Sequence, residues 1–180
     1  MLRFTHGDRA AFDLLIARHQ RSVVNTIFRL IGDPMTAEDL AQEVFLNIFR
    51  AARSYRPTAE FRTWMFRIVR NVCYNELRRR ARHPISFEGG DQEESPLDLP
   101  DARAAEPFSQ LSLDERRRLV RDAINRLPPA QRMAVVLRRY EGLSYQQIAH
   151  AMDNTVPGIK SLLSRAKVGL IAALGRYFKA

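Results

Sequence analysis

Cysteine is all but missing from this 180-residue chain: Cys73 stands alone, which excludes an internal disulfide framework and fits a reducing compartment. The lone thiol and four scattered histidines (His6, His19, His83, His150) show no metal-ligand spacing, so no metal and no other cofactor is expected. No stretch approaches the roughly 20 apolar residues of a membrane span, and the opening MLRFTHGDRAAF lacks the apolar run of a signal peptide. The expectation is a soluble, cytoplasmic protein without membrane insertion. Strand-like alternation and internal repeats are absent, as is any glycine-rich loop that would cradle a nucleotide phosphate. The N-terminal half offers no nucleophile with an acid–base or metal cluster, so the chain does not read as an enzyme and no small-molecule substrate is expected.

What is abundant is positive charge. Lys and Arg number 29 against 20 Asp and Glu, a formal net charge of +9, which favours a polyanionic partner such as nucleic acid. The charge is unevenly spread. Positions 84–111 carry seven acids (Glu88, Asp91, Glu93, Glu94, Asp98, Asp101, Glu106) against Arg103; that segment is net −6, leaving +15 for the rest. Pro84, Pro96, Pro100 and Pro107 with Gly89 and Gly90 exclude long helices or strands there. The expected organisation is all-α: a helical domain at 1–83, a flexible acidic linker at 84–111, and a second helical domain at 112–180.

The clearest motif runs from Leu143 to Lys167. Ser144 and Gln147 have capping-box spacing, and Leu143 and Ile148 flank them as a hydrophobic staple. Ile148, Ala149 and Met152 follow helical spacing until Asp153-Asn154-Thr155 turns the chain. Thr155 caps a second helix that tolerates Pro157 in its first turn. Ile159, Leu163, Ala166 and Leu170 form its apolar stripe, while Lys160, Ser161, Ser164 and Arg165 face the other way, a mixture suited to phosphates and major-groove base edges. This is a helix-turn-helix pattern, whose plain alternative is a helical hairpin in an all-helical core. Before it, Ser112 to Glu115 is another capping box opening a helix to about Leu127, and a helix after Pro128-Pro129 ends near Tyr140, with Met133, Val136, Leu137 and Tyr140 apolar.

The first long helix is expected from about Ala10 to Leu30, with Phe12, Leu15, Ile16, His19, Val23, Ile27 and Leu30 on one face and Gly32-Asp33-Pro34 ending it. The second starts at a Thr36 cap with Glu38 and Asp39 in its first turn. It carries two apolar stripes, Leu40, Val44 and Ile48 beside Phe45, Phe49 and Ala52, so it is either deeply buried or docks a partner across a rim that includes Gln42 and Glu43. The third runs from about Glu60 past Arg80. Phe61, Met65, Ile68 and Val72 face a core, while Trp64, Arg67, Asn71, Tyr74, Asn75 and Arg78 share the other side. Rings that stack on unpaired bases, guanidiniums that track phosphates and amides that read base edges match a single-stranded nucleic-acid surface; Trp64 serves equally well as a core anchor.

The segments DLAQEVFLNIF, FRTWMFRIVRNVCYNELRRR and LPPAQRMAVVLRRYEGLSYQQIAHAM…IKSLLSRAK, in this order, resemble the two conserved regions of the extracytoplasmic function group of bacterial sigma factors. The resemblance implies a dissociable subunit that binds RNA polymerase core, through its β′ and β subunits, and directs it to promoter DNA. Asp39, Gln42, Glu43 and Phe45 match the core-binding surface. Phe61, Arg62, Trp64, Asn71, Asn75, Arg78 and Arg79 match the positions that contact and open the minus-ten element, and Arg138, Lys160, Ser161, Ser164 and Arg165 those that read the minus-thirty-five element. An anti-sigma factor is a further implied partner. Three residues depart from the pattern: Leu162 where the family often has Arg, Gly158 where Thr is usual, and Asn154 where an apolar residue is common. A helix-turn-helix regulator acting without polymerase is the alternative, but it gives no role to the Trp64 to Arg78 face or to the two-striped helix; a recombinase would need the catalytic cluster that is missing.

Overall fold

The computed structural model describes residues 1–57, 60–82 and 111–177, apart from the side chains of 53, 54 and 176, and the regular elements among them are all helical. In order these are α1 (Leu2–Thr5), α2 (Arg9–Ile31), α3 (Pro34–Arg50), α4 (Phe61–Arg82), α5 (Leu113–Asn125), α6 (Pro129–Arg139), α7 (Tyr145–Met152) and α8 (Val156–Leu174), with 3-10 turns at Ala51–Ser54 and Gly175–Tyr177. The expected acidic linker, apart from Leu111, lies outside the described residues.

Most helix starts follow from caps written in the sequence. At α5, Ser112 Oγ accepts from the Glu115 N–H at 3.3 Å and the Glu115 carboxylate accepts from the Ser112 N–H at 2.8 Å. The same reciprocal box opens α7, at 3.2 Å and 2.7 Å, with Leu143 and Ile148 both buried beside it. Thr155 Oγ1 accepts from the Gly158 N–H at 3.2 Å and opens α8, with Pro157 in the first turn. At α3 the sequence reading needs correction. The cap is Asp33, which accepts from the Thr36 N–H at 2.7 Å, and Pro34 is already helical, so Glu38 and Asp39 lie beyond the first turn. Proline at the first helical position gives up only an N–H that has no intrahelical partner, which makes Asp-Pro a stronger start than Thr36. Gly32, at φ 86°, ends α2 in the left-handed conformation one residue earlier, its N–H bonded to Phe28 O at 2.8 Å. The short α1 and the Asp8 cap of α2 were not foreseen.

In the N-terminal half, Val23, Ile27 and Leu30 of α2, Leu40, Val44 and Ile48 of α3, and Met65, Phe66, Val69, Val72 and Cys73 of α4 are buried. α4 is covered over more of its girth than the expected stripe, since Phe66, Val69 and Cys73 join the core while Phe61 and Ile68 are half-buried. Met133, Val136, Leu137, Leu143, Ile148 and Ile159 form the core of the C-terminal half, where α8 packs on α6 and α7. Tyr140, expected among the apolar residues of α6, is exposed, with the Arg29 guanidinium 4.2 Å from its ring centroid.

The two halves are in contact. α7 packs on α4 and α6 on α2, and their buried residues form one continuous cluster. The Glu141 carboxylate, 7% exposed, accepts from Ser22 Oγ at 2.6 Å and Thr26 Oγ1 at 2.8 Å. Gln147 Nε2 donates to Glu60 Oε2 at 2.8 Å. Arg132 donates to Leu30 O at 2.9 Å and, within its own half, to Leu127 O at 3.3 Å and to Asn125 O, so the carbonyls at the ends of α2 and α5 gain a donor they cannot find inside their helices.

Candidate nucleic-acid interface

The outward side of α4 is built as expected from Arg67, Asn71, Asn75, Arg78 and Arg79, all exposed. Local bonds order it. Arg70 donates to Asn71 Oδ1 at 2.7 Å and 3.1 Å, and Arg78 to Asn75 Oδ1 at 2.6 Å. With both carbonyls engaged, the amide N–H groups are what Asn71 and Asn75 have to offer a base acceptor. Glu76 is buried; it accepts from Arg79 at 2.7 Å and 2.9 Å and from Arg80 at 2.7 Å, and Arg80 reaches Thr36 Oγ1 of α3 at 3.1 Å. The Arg79 hydrogen bond first, and Arg80 with it, holds the Glu76 carboxyl below its usual range. Sequence reasoning missed Glu76, although a signal was there: it is the one acid in the helix between Arg67 and Arg82.

The aromatic members sit deeper. Trp64 is half-buried, with Tyr55 edge-on at 4.9 Å between ring centroids and Phe61 at 5.9 Å; His19 in turn lies 5.4 Å from Phe61. Trp64 is thus anchored along part of its ring and open along the rest, between the two roles the sequence allowed. Tyr74 is half-buried and its hydroxyl has no hydrogen-bond partner among the described residues; burial pushes its pKa up. It lines a groove of about 830 Å³ with Arg70, Asn71, Asn75, Arg78 and Pro129. Arg62 departs from the expected set. Its guanidinium turns to the other half, donating to the Glu141 backbone O at 2.8 Å and standing 3.4 Å from the Glu141 carboxylate.

On α8, Lys160, Ser161, Ser164 and Arg165 are exposed, opposite the buried Ile159 and Ala166. Arg138 joins this surface from α6. It donates to Leu143 O at 2.8 Å and lies 4.9 Å from the Tyr145 ring centroid, and it lines one groove with Lys160, Ser164 and Lys167. A cation held over a ring and the two exposed serine hydroxyls make a surface for phosphate and base-edge acceptors.

α3 carries a third surface. Asp39, Gln42 and Glu43 are exposed, while Phe45 is half-buried against the core. The second stripe is therefore split: Ala52 is buried and Phe49 is exposed, its ring 5.3 Å from those of Phe4 and Phe12. Leu46, 54% exposed beside Gln42 and Glu43, is the outward apolar residue that the stripe pattern overlooked. Among the described residues no three metal-binding side chains converge, and no helix is long and apolar enough to cross a membrane.

The chain itself is similar to known proteins over most of its length. Residues 15–83 match the model of Sigma-70 region 2, and residues 117–169 that of Sigma-70, region 4. The chain is 35% identical to the RNA polymerase sigma-H factor of Pseudomonas aeruginosa over 176 residues, 96% of this chain and 90% of the relative. It is 34% identical to the ECF RNA polymerase sigma-E factor of Escherichia coli K12 over 169 residues, 92% and 87% of the two chains. The solved sigma factor RpoE of Bartonella quintana, in complex with the anti-sigma factor NepR, superposes with a TM-score of 0.69 at 25% identity, covering 92% of this chain and 97% of that one. CnrH in complex with the cytosolic domain of CnrY shares the fold, with a TM-score of 0.70 at 22% identity over 97% and 94%. The chain accordingly belongs to the extracytoplasmic function group of the sigma-70 family, the non-catalytic RNA polymerase subunits that direct promoter-specific initiation of transcription.

Proposed function

We propose a division of labour among the three surfaces. Residues 1–83 bind core polymerase through α3, with Asp39, Gln42, Glu43 and Phe45 joined by Leu46, and engage the minus-ten element through α4. Residues 112–180 read the minus-thirty-five element through Arg138, Lys160, Ser161, Ser164 and Arg165, and positions 84–111 connect the two. The partners are the β′ and β subunits and promoter DNA in the cytoplasm, and, by likeness to the relative solved with one, an anti-sigma factor.

The observation that carries this reading is the ordered row Asn71, Asn75, Arg78 and Arg79 on one exposed side of α4, with the part-open Trp64 at its head. No phosphate-cradling loop supplies fuel, so opening draws on binding energy, about 1 to 3 kcal/mol for each captured base. Two elements some 25 base pairs apart are roughly 85 Å apart on B-DNA at 3.4 Å per step. With α7 resting on α4 the two readers cannot span that length, so promoter engagement separates the halves and frees Arg62.

The test is permanganate reactivity of unpaired thymines in holoenzyme–promoter complexes. Asn71→Ala and Trp64→Ala are expected to form closed complexes and lose open ones. Wild-type reactivity in both variants would remove α4 from promoter opening.

A further inference from the structure

Gly158 and Asn154, two of the three departures from the family pattern, meet in space. Gly158 is the third residue of α8, and its φ lies outside the left-handed region, so backbone conformation does not require glycine there. A glycine inside a helix costs stability relative to alanine. What it provides here is room: a Cβ at this position would overlap the Asn154 Oδ1, stand 3.0 Å from Asn154 Cγ and 3.2 Å from Thr155 Oγ1. The Asn154 carboxamide therefore lies across the first turn of α8, where a side chain at 158 would otherwise be.

That turn is held firmly. Asp153 takes the left-handed conformation at φ 53°, the Asn154 N–H donates to Ala149 O at 2.9 Å, and Asn154 Oδ1 accepts from the Thr155 N–H at 2.7 Å. A backbone N–H can pair only with the amide oxygen, which fixes the orientation of the carboxamide. Asn154 is exposed, and position 158 shares a helix side with the exposed Ser161 and Arg165, three and seven residues on. The N-terminal residues of a recognition helix are those that meet base edges.

We infer that Asn154 is a specificity-determining residue for the upstream promoter element, presenting its Nδ2 donor from the turn in place of a side chain at 158, and that Gly158 exists to admit it. This rests on α8 being the upstream reader. Asn154 Oδ1 already accepts from the Thr155 N–H, so Nδ2 is the group that the residue brings to the DNA as a donor. The group it reads is a base acceptor: N7 of a purine, guanine O6 or thymine O4.

The experiment uses full-length protein assembled with core polymerase. The probe is a duplex library with a fixed minus-ten element and a randomised upstream element. Asn154→Ala is expected to lose the base preference at one upstream position, by about tenfold. Gly158→Ala is expected to reproduce that loss by displacing the carboxamide. The double variant should be no worse than Asn154→Ala alone, and the added methyl should stabilise the fold only in the Asn154→Ala background. Unchanged preference in Asn154→Ala, with Arg165→Ala impaired, overturns the inference and leaves α8 as the reader. If Asn154→Ala, Lys160→Ala and Arg165→Ala all bind as wild type, the reading of α8 itself falls. An even loss across all sequences with a shallower salt slope would put Nδ2 on a phosphate and overturn the specificity role. Additive losses in the double variant would show that Gly158 does not serve Asn154.

Discussion

Replacing Glu141 tests how strongly the two halves hold each other. Its carboxylate takes hydroxyls from Ser22 and the fully buried Thr26 on α2, while Arg62 of α4 stands over the same residue. A hydrogen bond to a charged group contributes about 1.5 to 3 kcal/mol, and a buried hydroxyl left without a partner costs about 1 to 3 kcal/mol. Removing the carboxylate offsets part of this, because its desolvation is no longer borne. The net for Glu141→Ala is about 2 to 3 kcal/mol against the closed arrangement, roughly a 30- to 150-fold change in the ratio of closed to open molecules. Glu141→Gln keeps one carbonyl acceptor but sets an amide against Arg62, so it should fall between. The assay is single-molecule energy transfer between dyes on Asp13→Cys and Ala172→Cys, both exposed positions in opposite halves, with Cys73 buried and left unlabelled. Circular dichroism checks that helicity is retained. The open population is expected to rise in the order wild type, Glu141→Gln, Glu141→Ala. Identical distance distributions in all three would refute the idea that this carboxylate holds the halves together.

Three further outcomes follow from particular side chains. Leu46→Ala, which removes an exposed apolar group beside Gln42 and Glu43, should weaken core polymerase binding by about 2 kcal/mol without lowering the melting temperature, whereas Phe45→Ala should lower both; equal core affinity in Leu46→Ala would argue against docking on this face. Glu76 has a folded-state pKa below its ordinary value, so its stabilisation is complete above about pH 4.5 and disappears as pH falls through the depressed value; thermal melts of Glu76→Gln should lack that part of the acid loss, and an acid limb identical to wild type would contradict it. The Cys73 thiol, pushed up to about 12 mainly by burial, should resist iodoacetamide near neutral pH until the protein unfolds, as followed by mass spectrometry; rapid labelling of the native protein would mean that the α4 core opens locally.

Much of this was legible in the sequence because the signals are local. Capping boxes at Ser112 and Ser144, the Thr155 cap and the apolar stripe of α8 need only neighbouring residues, and each stands where the spacing predicted it. The exposed sides of α4 and α8 follow from the same periodicity. The α3 start was misread between two nearby caps, because Asp33 directly before Pro34 out-competes Thr36. What could not be read were pairings between residues distant in the chain. Nothing near Arg62 announces Glu141, and nothing near Asn154 announces that its carboxamide fills the space over Gly158. Glu76 lay between, visible as a lone acid among arginines but without a visible reason to be buried.

The joint between α2 and α3 consists of Gly32 and Asp33 alone, and that brevity has a consequence for the order of folding. Helices joined by so short a connection find each other quickly, because little loop entropy is lost in bringing them together. α2, α3 and α4 can therefore collapse as a unit as soon as residues up to Arg82 have left the ribosome. The bonds that close the two halves join residues 119, 115 and 79 positions apart, and cannot form until Glu141 has been made. During synthesis there is accordingly an interval in which the side of α4 that α7 later covers is complete and open, with Arg62 not yet held by Glu141.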